Sequence, residues 1–438
     1  MHERRLTTAP GGHVLTNAGV WTHDGEWIVY DVRSDAAGSL FDGTRIERVE
    51  VATGRVEILF ESRHGACCGV VTASPVDDRV VFILGPEHPT PDWSYGAARR
   101  QGVVVRSSRP GEAEPLDARD LVPPFTPGAL RGGTHVHQFS PDGRLVSFTY
   151  EDALLDRAGG TASERNLRAV GVSVCGRPVG VSPAHRRNHR GSAWSVLVTD
   201  LADAPAPGSD AIERACEEAW IGVDGYRRAD GSRQRRALAF QGTVAGSDGR
   251  GVVEVFVVDL PDADAPTGAL DEPGPAGALA GTEHRRPRPP AGVSQRRLTH
   301  GATRVHPGLQ GPRHWLRSSP DGGRIAYLAR DDEGVVQLCT VSPLGGEPVQ
   351  VTRGRESIAS AFTWSPTGER LACVIGECVC AIDARDGAVT RLTHPGDGPA
   401  PRPEACVFSP DGRAVAFVRR LATAAGEHNQ ICTVAVPE

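Results

Sequence analysis

The chain has 438 residues and a formal net charge of −6, and all 48 of its basic residues are arginine. Without lysine, Schiff-base chemistry and the amine-dependent phosphate loop are excluded, while arginine remains available as a bidentate clamp for carboxylate or phosphate. The acidic balance disfavours a nucleic-acid partner, no stretch approaches the ~18 apolar residues of a membrane span, and the N-terminus lacks the apolar core of an export signal, so the expectation is a cytoplasmic protein with no nucleic-acid or membrane partner.

The chain begins with RRLTTA at 4–9, which resembles the ends of later segments: RRLT at 296–299, VQVT at 349–352 and RLT at 391–393. A turn signal then recurs seven times, starting at Thr22, Ser74, Ser140, Gly222, Ser319, Ser365 and Ser409, and in its fullest form it reads Ser-Pro-Asp-Gly. Proline presets φ, aspartate binds the local backbone and glycine accepts positive φ, so the motif punctuates strands. A short apolar strand follows each copy, as at 145–148, 325–327 and 415–417. The first repeats cover about 15–60, 65–118 and 133–182; after them the strand-like 192–201 fits poorly and reads as an extra strand or the remnant of another blade.

A fourth repeat, about 214–299, is swollen by a Pro/Gly/Ala-rich stretch from Asp262 to Gly292, which reads as a dispensable surface excursion with little to bury. The last three, near 310–352, 357–394 and 402–436, are compact, and the final one lacks a fourth strand. A repeat of this period signals a propeller. The chain therefore reads as all-β and one domain over 1–438: a seven-bladed propeller, with eight blades as the alternative, whose ring is closed by the N-terminal strand.

Equivalent positions in such a ring converge on one axis. Five residues before each turn stand Asn17, Gly69, His135, Glu217, His314, Ser360 and Glu404; one residue before stand Trp21, Ala73, Phe139, Ile221, Ser318, Trp364 and Phe408. The first set is polar and marks an upper mouth; the second is largely apolar. Converging imidazole and carboxylate suit a divalent cation such as Mn²⁺, Fe²⁺ or Zn²⁺, and His137 is expected on the same strand face as His135. Loop residues His185, His189, His300 and His306 reach the same mouth, as do Arg131, Arg186, Arg187, Arg190, Arg313 and Arg402, with Arg99 and Arg100 beside Trp93 and Tyr95. A basic, partly aromatic mouth suits a small anion. The ten cysteines show no CxxC pair and read as reduced, buried thiols. No GxSxG, HExxH or dinucleotide fingerprint occurs.

The segments GALRGGTHVHQFSPDG, LQGPRHWLRSSPDG and PEACVFSPDG resemble a family of uncharacterised bacterial TolB-like propeller proteins, and more distantly the oligogalacturonate lyases. The second resemblance implies an axial metal held by His135, His137, Gln310 and His314. The resulting expectation is a metal-dependent lyase or hydrolase acting on a small acidic, saccharide-like substrate. Glu404 assists the metal, Arg131 or Arg313 holds the substrate anion, and Glu217 serves as ligand or base. The alternative is a noncatalytic propeller that binds a protein or peptide on the same face.

Overall fold

The recurrent turn is self-contained. In the copy at Ser140, the serine hydroxyl donates to Asp142 (2.6 Å) and accepts from the Leu145 amide (2.9 Å), and Gly143 takes φ 68°. The same bonds recur at Ser319 with Asp321 and Arg324 and at Ser409 with Asp411 and Ala414. Each turn hands the chain from an inner strand to its neighbour, and four antiparallel strands meander outward as one blade.

The computed structural model describes residues 3–16, 18–159, 163–261, 270–312 and 315–437. It contains seven four-stranded sheets. Their inner strands are Gly12–Val14, Cys68–Ala73, Gly132–Phe139, Ile212–Trp220, Arg317–Ser318, Thr363–Trp364 and Pro401–Phe408, numbered here as blades 1 to 7. Each neighbouring pair of blades shares its own apolar cluster, including blade 7 with blade 1, where Leu15, Val20 and Trp21 pack on Ala405, Val407 and Ile431. Seven sheets with seven shared cores make a closed ring, as a propeller requires.

The N-terminal strand Glu3–Arg5 is the outer strand of blade 7, paired antiparallel with Gly426–Ala435. Glu3 also forms an ion pair (2.9 Å) with the buried Arg419 of the same blade. The strand near 192–201 is neither extra nor a remnant: Gly191–Leu197 is the outer strand of blade 3. What displaced it in the sequence reading is the unusually long third strand, Ala169–Val179, with a register irregularity between Cys175 and Val179.

The excursion behaves differently from its composition. Residues 262–269 lie outside the described residues, but 270–292 pack down. Leu270 and Leu279 are buried in the core shared by blades 3 and 4. Arg286 is buried and pairs with Asp203 (2.6 Å), and Arg288 pairs with Glu164. A Pro/Gly-rich segment without periodicity can still be ordered when a few long side chains anchor it to a rigid surface.

Candidate functional site

The inner strands of blades 2, 3 and 4 share one irregularity at one level. The register slips between Gly69 and Thr72, between His135 and Gln138, and between Cys216 and Ala219. At each slip one non-glycine residue is left-handed: Val70 (φ 59°), Val136 (φ 56°) and Glu217 (φ 57°). These are β-bulges, two residues opposing one. Such a backbone costs about 1–3 kcal/mol and persists only where its surroundings fix it; the Val70 amide, for example, is held by Asp31 Oδ1 at 3.0 Å.

The bulge decides where the histidines point. His135 stands opposite Thr149, whose hydroxyl donates to Glu218 Oε2 (2.9 Å), so His135 faces blade 4. His137 faces blade 2 instead: its Nε2 lies 3.0 Å from Thr134 Oγ1, which donates to Asp117 Oδ1 (3.0 Å), and the ring fills the space beside Gly102. The expectation that both share a face is therefore corrected, because one inserted residue reverses the alternation. Burial lowers His137 to about 3. Burial first, and then the charges of Arg100 and Arg168, hold His135 well below the usual imidazole value, with Arg214 adding to the effect. Both rings are neutral near pH 7, and among the described residues neither Nδ1 has a hydrogen-bond partner.

Blade 4 is offset by one residue from the sequence count. Trp220 pairs with Leu238 and the Ile221 amide donates to the Ala237 carbonyl, as Phe139 pairs with Val146 and Ser140 donates to Leu145. The counterpart of His135 is thus Cys216, while Glu217 sits at the bulge apex and Glu218 matches His137. The tryptophan was the available signal, since Trp21 and Trp364 occupy the same place in blades 1 and 6. Glu217 borders a cavity of about 370 Å³ together with Arg214, Cys216, Gln241 and Trp315. Behind it Glu218 is fully buried, and burial pushes its carboxyl up to about 8, so it is largely protonated at pH 7.

Other expected residues are engaged elsewhere. Arg131 is completely buried, paired with Asp152 (2.6 Å), donating to the carbonyls of Thr282 and Arg285 and stacked over Phe125. It clamps the 270–292 segment and has no edge left for a substrate, which corrects its assignment. Glu404 is buried and accepts from Arg402 at 3.1 Å. The Gln310 amide donates to the Pro307 carbonyl at 3.0 Å. Arg313 and His314 lie outside the described residues. Among the described residues, no three histidine, cysteine or carboxylate side chains are grouped to hold a metal ion.

The basic loops do gather: Arg99, Arg157, His185, Arg186 and Arg187 line a pocket of about 210 Å³ with Trp93. His189 is apart from them, its imidazole lowered to about 3 by burial and by Arg119.

At the opposite end the apolar level is as expected, with Trp220 in place of Ile221. The indoles of Trp21, Trp220 and Trp364 each donate to a backbone carbonyl of the preceding blade, at Val407, Gln138 and Arg317 (3.0–3.1 Å). These bonds fasten inner strand to inner strand around the axis.

Residues 67–189, which hold most of blades 2 and 3, match a family described as a protein of unknown function (DUF3748). The fold is similar to that of an oligogalacturonate lyase solved in complex with manganese, at 13% identity over 100% of this chain and 93% of that one, with a TM-score of 0.56. A putative TolB from Agrobacterium tumefaciens aligns at 15% identity over 90% and 98% of the two chains, with a TM-score of 0.40, too loose an overlap to argue from. In sequence the chain is 44% identical over 417 residues to the uncharacterized protein YidR of Escherichia coli (strain K12), covering 95% of this chain and 94% of the relative. This seven-bladed propeller therefore belongs to the YidR family.

Proposed function

We propose that the upper axial mouth carries out lyase or hydrolase chemistry on a small acidic, saccharide-like substrate. The observation that carries this reading is the arginine-flanked cavity at Glu217, with the neutral imidazole of His135 in the field of the same Arg214. Burial and the nearby guanidinium groups keep this imidazole unprotonated, a bound anionic substrate offsets those positive charges and so raises its basicity, and the same groups attract and hold that anion. Glu217 is the accessible carboxyl group in this arrangement, and the protonated Glu218 behind it adds no second negative charge to repel an anion. Paired acid and base groups whose environments push their ionisation apart are the usual mark of proton-transfer sites.

The likeness to a manganese-complexed lyase supports a metal-dependent version of this chemistry. The described residues do not form a ligand set for it: His135 and His137 diverge, and Glu404 is engaged by Arg402. No step is therefore derived through a metal. The test is incubation of the purified protein with short oligogalacturonates, with and without Mn²⁺, following the ultraviolet absorbance of a new conjugated double bond and the release of reducing ends. Turnover lost in His135→Gln and Glu217→Gln at unchanged melting temperature supports the proposal. Wild-type protein that binds these saccharides without converting them would instead be the noncatalytic binding propeller.

A further inference from the structure

Two loops and the short helix of blades 2 and 3 enclose a second polar pocket. Its walls come from the connection between Arg79–Leu84 and Gln101–Arg106, from the helix Ala153–Ala158 with the Arg157 it carries, and from the loop that precedes Gly191–Leu197. It shares no lining residue with the cavity at Glu217. Its volume of about 210 Å³ falls below the ~300–1,000 Å³ of ordinary small-molecule pockets, so it suits one charged group rather than a large ligand.

Four guanidinium groups line this pocket, and the chain engages only two of them. Arg99 pairs with Asp156 at 3.1 Å, and Arg187 donates to the carbonyls of Glu87 (2.7 Å) and His88 (2.9 Å). Both lie over the ring of Trp93, each 5.9 Å from its centroid. Arg157 and Arg186 are exposed and make no hydrogen bond or ion pair among the described residues. The other carboxylates at hand, Asp92 in the wall and Glu87, form no ion pair among the described residues either. The cations act on one another: burial and then Arg186 lower Arg187, and burial followed by Arg157, Arg186 and Arg187 lowers the His185 imidazole. Like charges held this close repel, and an anion entering between them relieves the repulsion.

We propose that this pocket binds the phosphate group of a phosphate monoester. A carboxylate has two oxygens and one charge, and a single guanidinium fork satisfies it. A phosphate monoester carries about −1.5 to −2 charge at pH 7 and three strong acceptor oxygens, so it accepts from the Arg157 and Arg186 forks together. Arg187, pinned by its two carbonyls, and Arg99 keep the surrounding field positive. In a chain without lysine, arginine is the side chain left for this task.

The test is calorimetric titration of the whole protein, in a buffer free of phosphate and sulfate, with phenyl phosphate, phenyl sulfate and inorganic phosphate. Phenyl sulfate keeps the tetrahedral shape but carries one charge. The expected result is that phenyl phosphate binds about ten-fold or more tightly than phenyl sulfate, the step given by one further charge-assisted hydrogen bond. Arg157→Gln and Arg186→Gln should each weaken phenyl phosphate about ten-fold at unchanged melting temperature, and Glu217→Gln should bind it as the wild type does. Inorganic phosphate should compete with the ester. Equal affinity for phosphate and sulfate, or no binding of the ester at millimolar concentration, would overturn the proposal. So would unchanged affinity in the protein carrying both arginine substitutions, binding of inorganic phosphate with exclusion of the ester, or affinity lost in Glu217→Gln, which would put the anion in the axial cavity.

Discussion

Blades 5 to 7 and blades 2 to 4 are built from the same repeat and differ in what lies between the strands. In blades 5 and 6 the described inner strand is two residues long, the neighbouring strands are six, and the shared core of Leu328, Phe362, Trp364 and Leu371 is almost wholly apolar. Blades 2 to 4 carry the bulges with a left-handed non-glycine residue, the helix Ala153–Ala158 and the packed 270–292 segment. Between blades 2 and 3 the apolar cluster is small, and Asp117, Arg119, Thr134 and His137 are buried there instead. A repeat that is stable by packing alone can carry strained backbone and buried charge on one side, because the closed ring holds that side in place.

The largest expected effect probes the ring itself. Deleting residues 1–10 removes the outer strand of blade 7 and leaves Arg419 buried without Glu3, a loss of about 3–5 kcal/mol for the broken pair alone. Thermal melting should drop sharply and the exposed strand edge should promote association. A truncated protein that melts like the full chain would mean that the regular half does not depend on closure.

Next comes the excursion. Replacing 262–292 by a short Gly/Ser linker between the paired residues Asp259 and Ser294 should destabilise the elaborated half: two buried leucines are worth about 3–6 kcal/mol, and Arg131 loses two carbonyl acceptors. Unchanged melting would return this segment to the status of a passive loop.

Titration separates the halves more finely, since the strongly shifted buried histidines and carboxyl described above lie in blades 2 to 4. His137 is lowered from 6.5 to about 3, so the unfolded chain takes up its proton more readily; the stability it contributes is complete above pH 6.5 and is lost as pH falls toward 3. Glu218 is raised from 4.5 to about 8, so its contribution is complete below pH 4.5 and is lost as pH rises through 8. Relative to wild type, Glu218→Gln should gain stability steadily from pH 4.5 to 8 in melting curves. A flat difference across that range would remove the buried, protonated carboxyl from the account.

The smallest effect tests what the halves share. Trp364→Phe in the regular half and Trp220→Phe in the elaborated half each delete one indole hydrogen bond and should each cost about 0.5–1.5 kcal/mol in denaturant unfolding. Clearly unequal losses would show that the turn end is not uniform around the ring.

Legibility follows the same division. The turns were readable because all their bonds are made within six residues, so Ser140, Ser319 and Ser409 announce their own geometry. The N-terminal closure was readable because RRLTTA repeats the pattern of a fourth strand that the last blade lacks. His135 and Glu217 were found at the axis by counting. Their directions were not, since one bulge residue at Val136 turned His137 away and one residue of offset in blade 4 exchanged Glu217 for Cys216.

By itself, then, the sequence determined a propeller repeat, favouring seven blades over eight, and which level of the axis is polar, because strand period and turn chemistry are local properties. Only the tertiary structure decided which polar groups are available there. Arg131 looked like a substrate clamp, yet Asp152, Thr282 and Arg285 surround it and leave no edge for a substrate. The reason is that a charged side chain's role depends on which partners remain unsatisfied around it, and those partners come from blades distant in sequence.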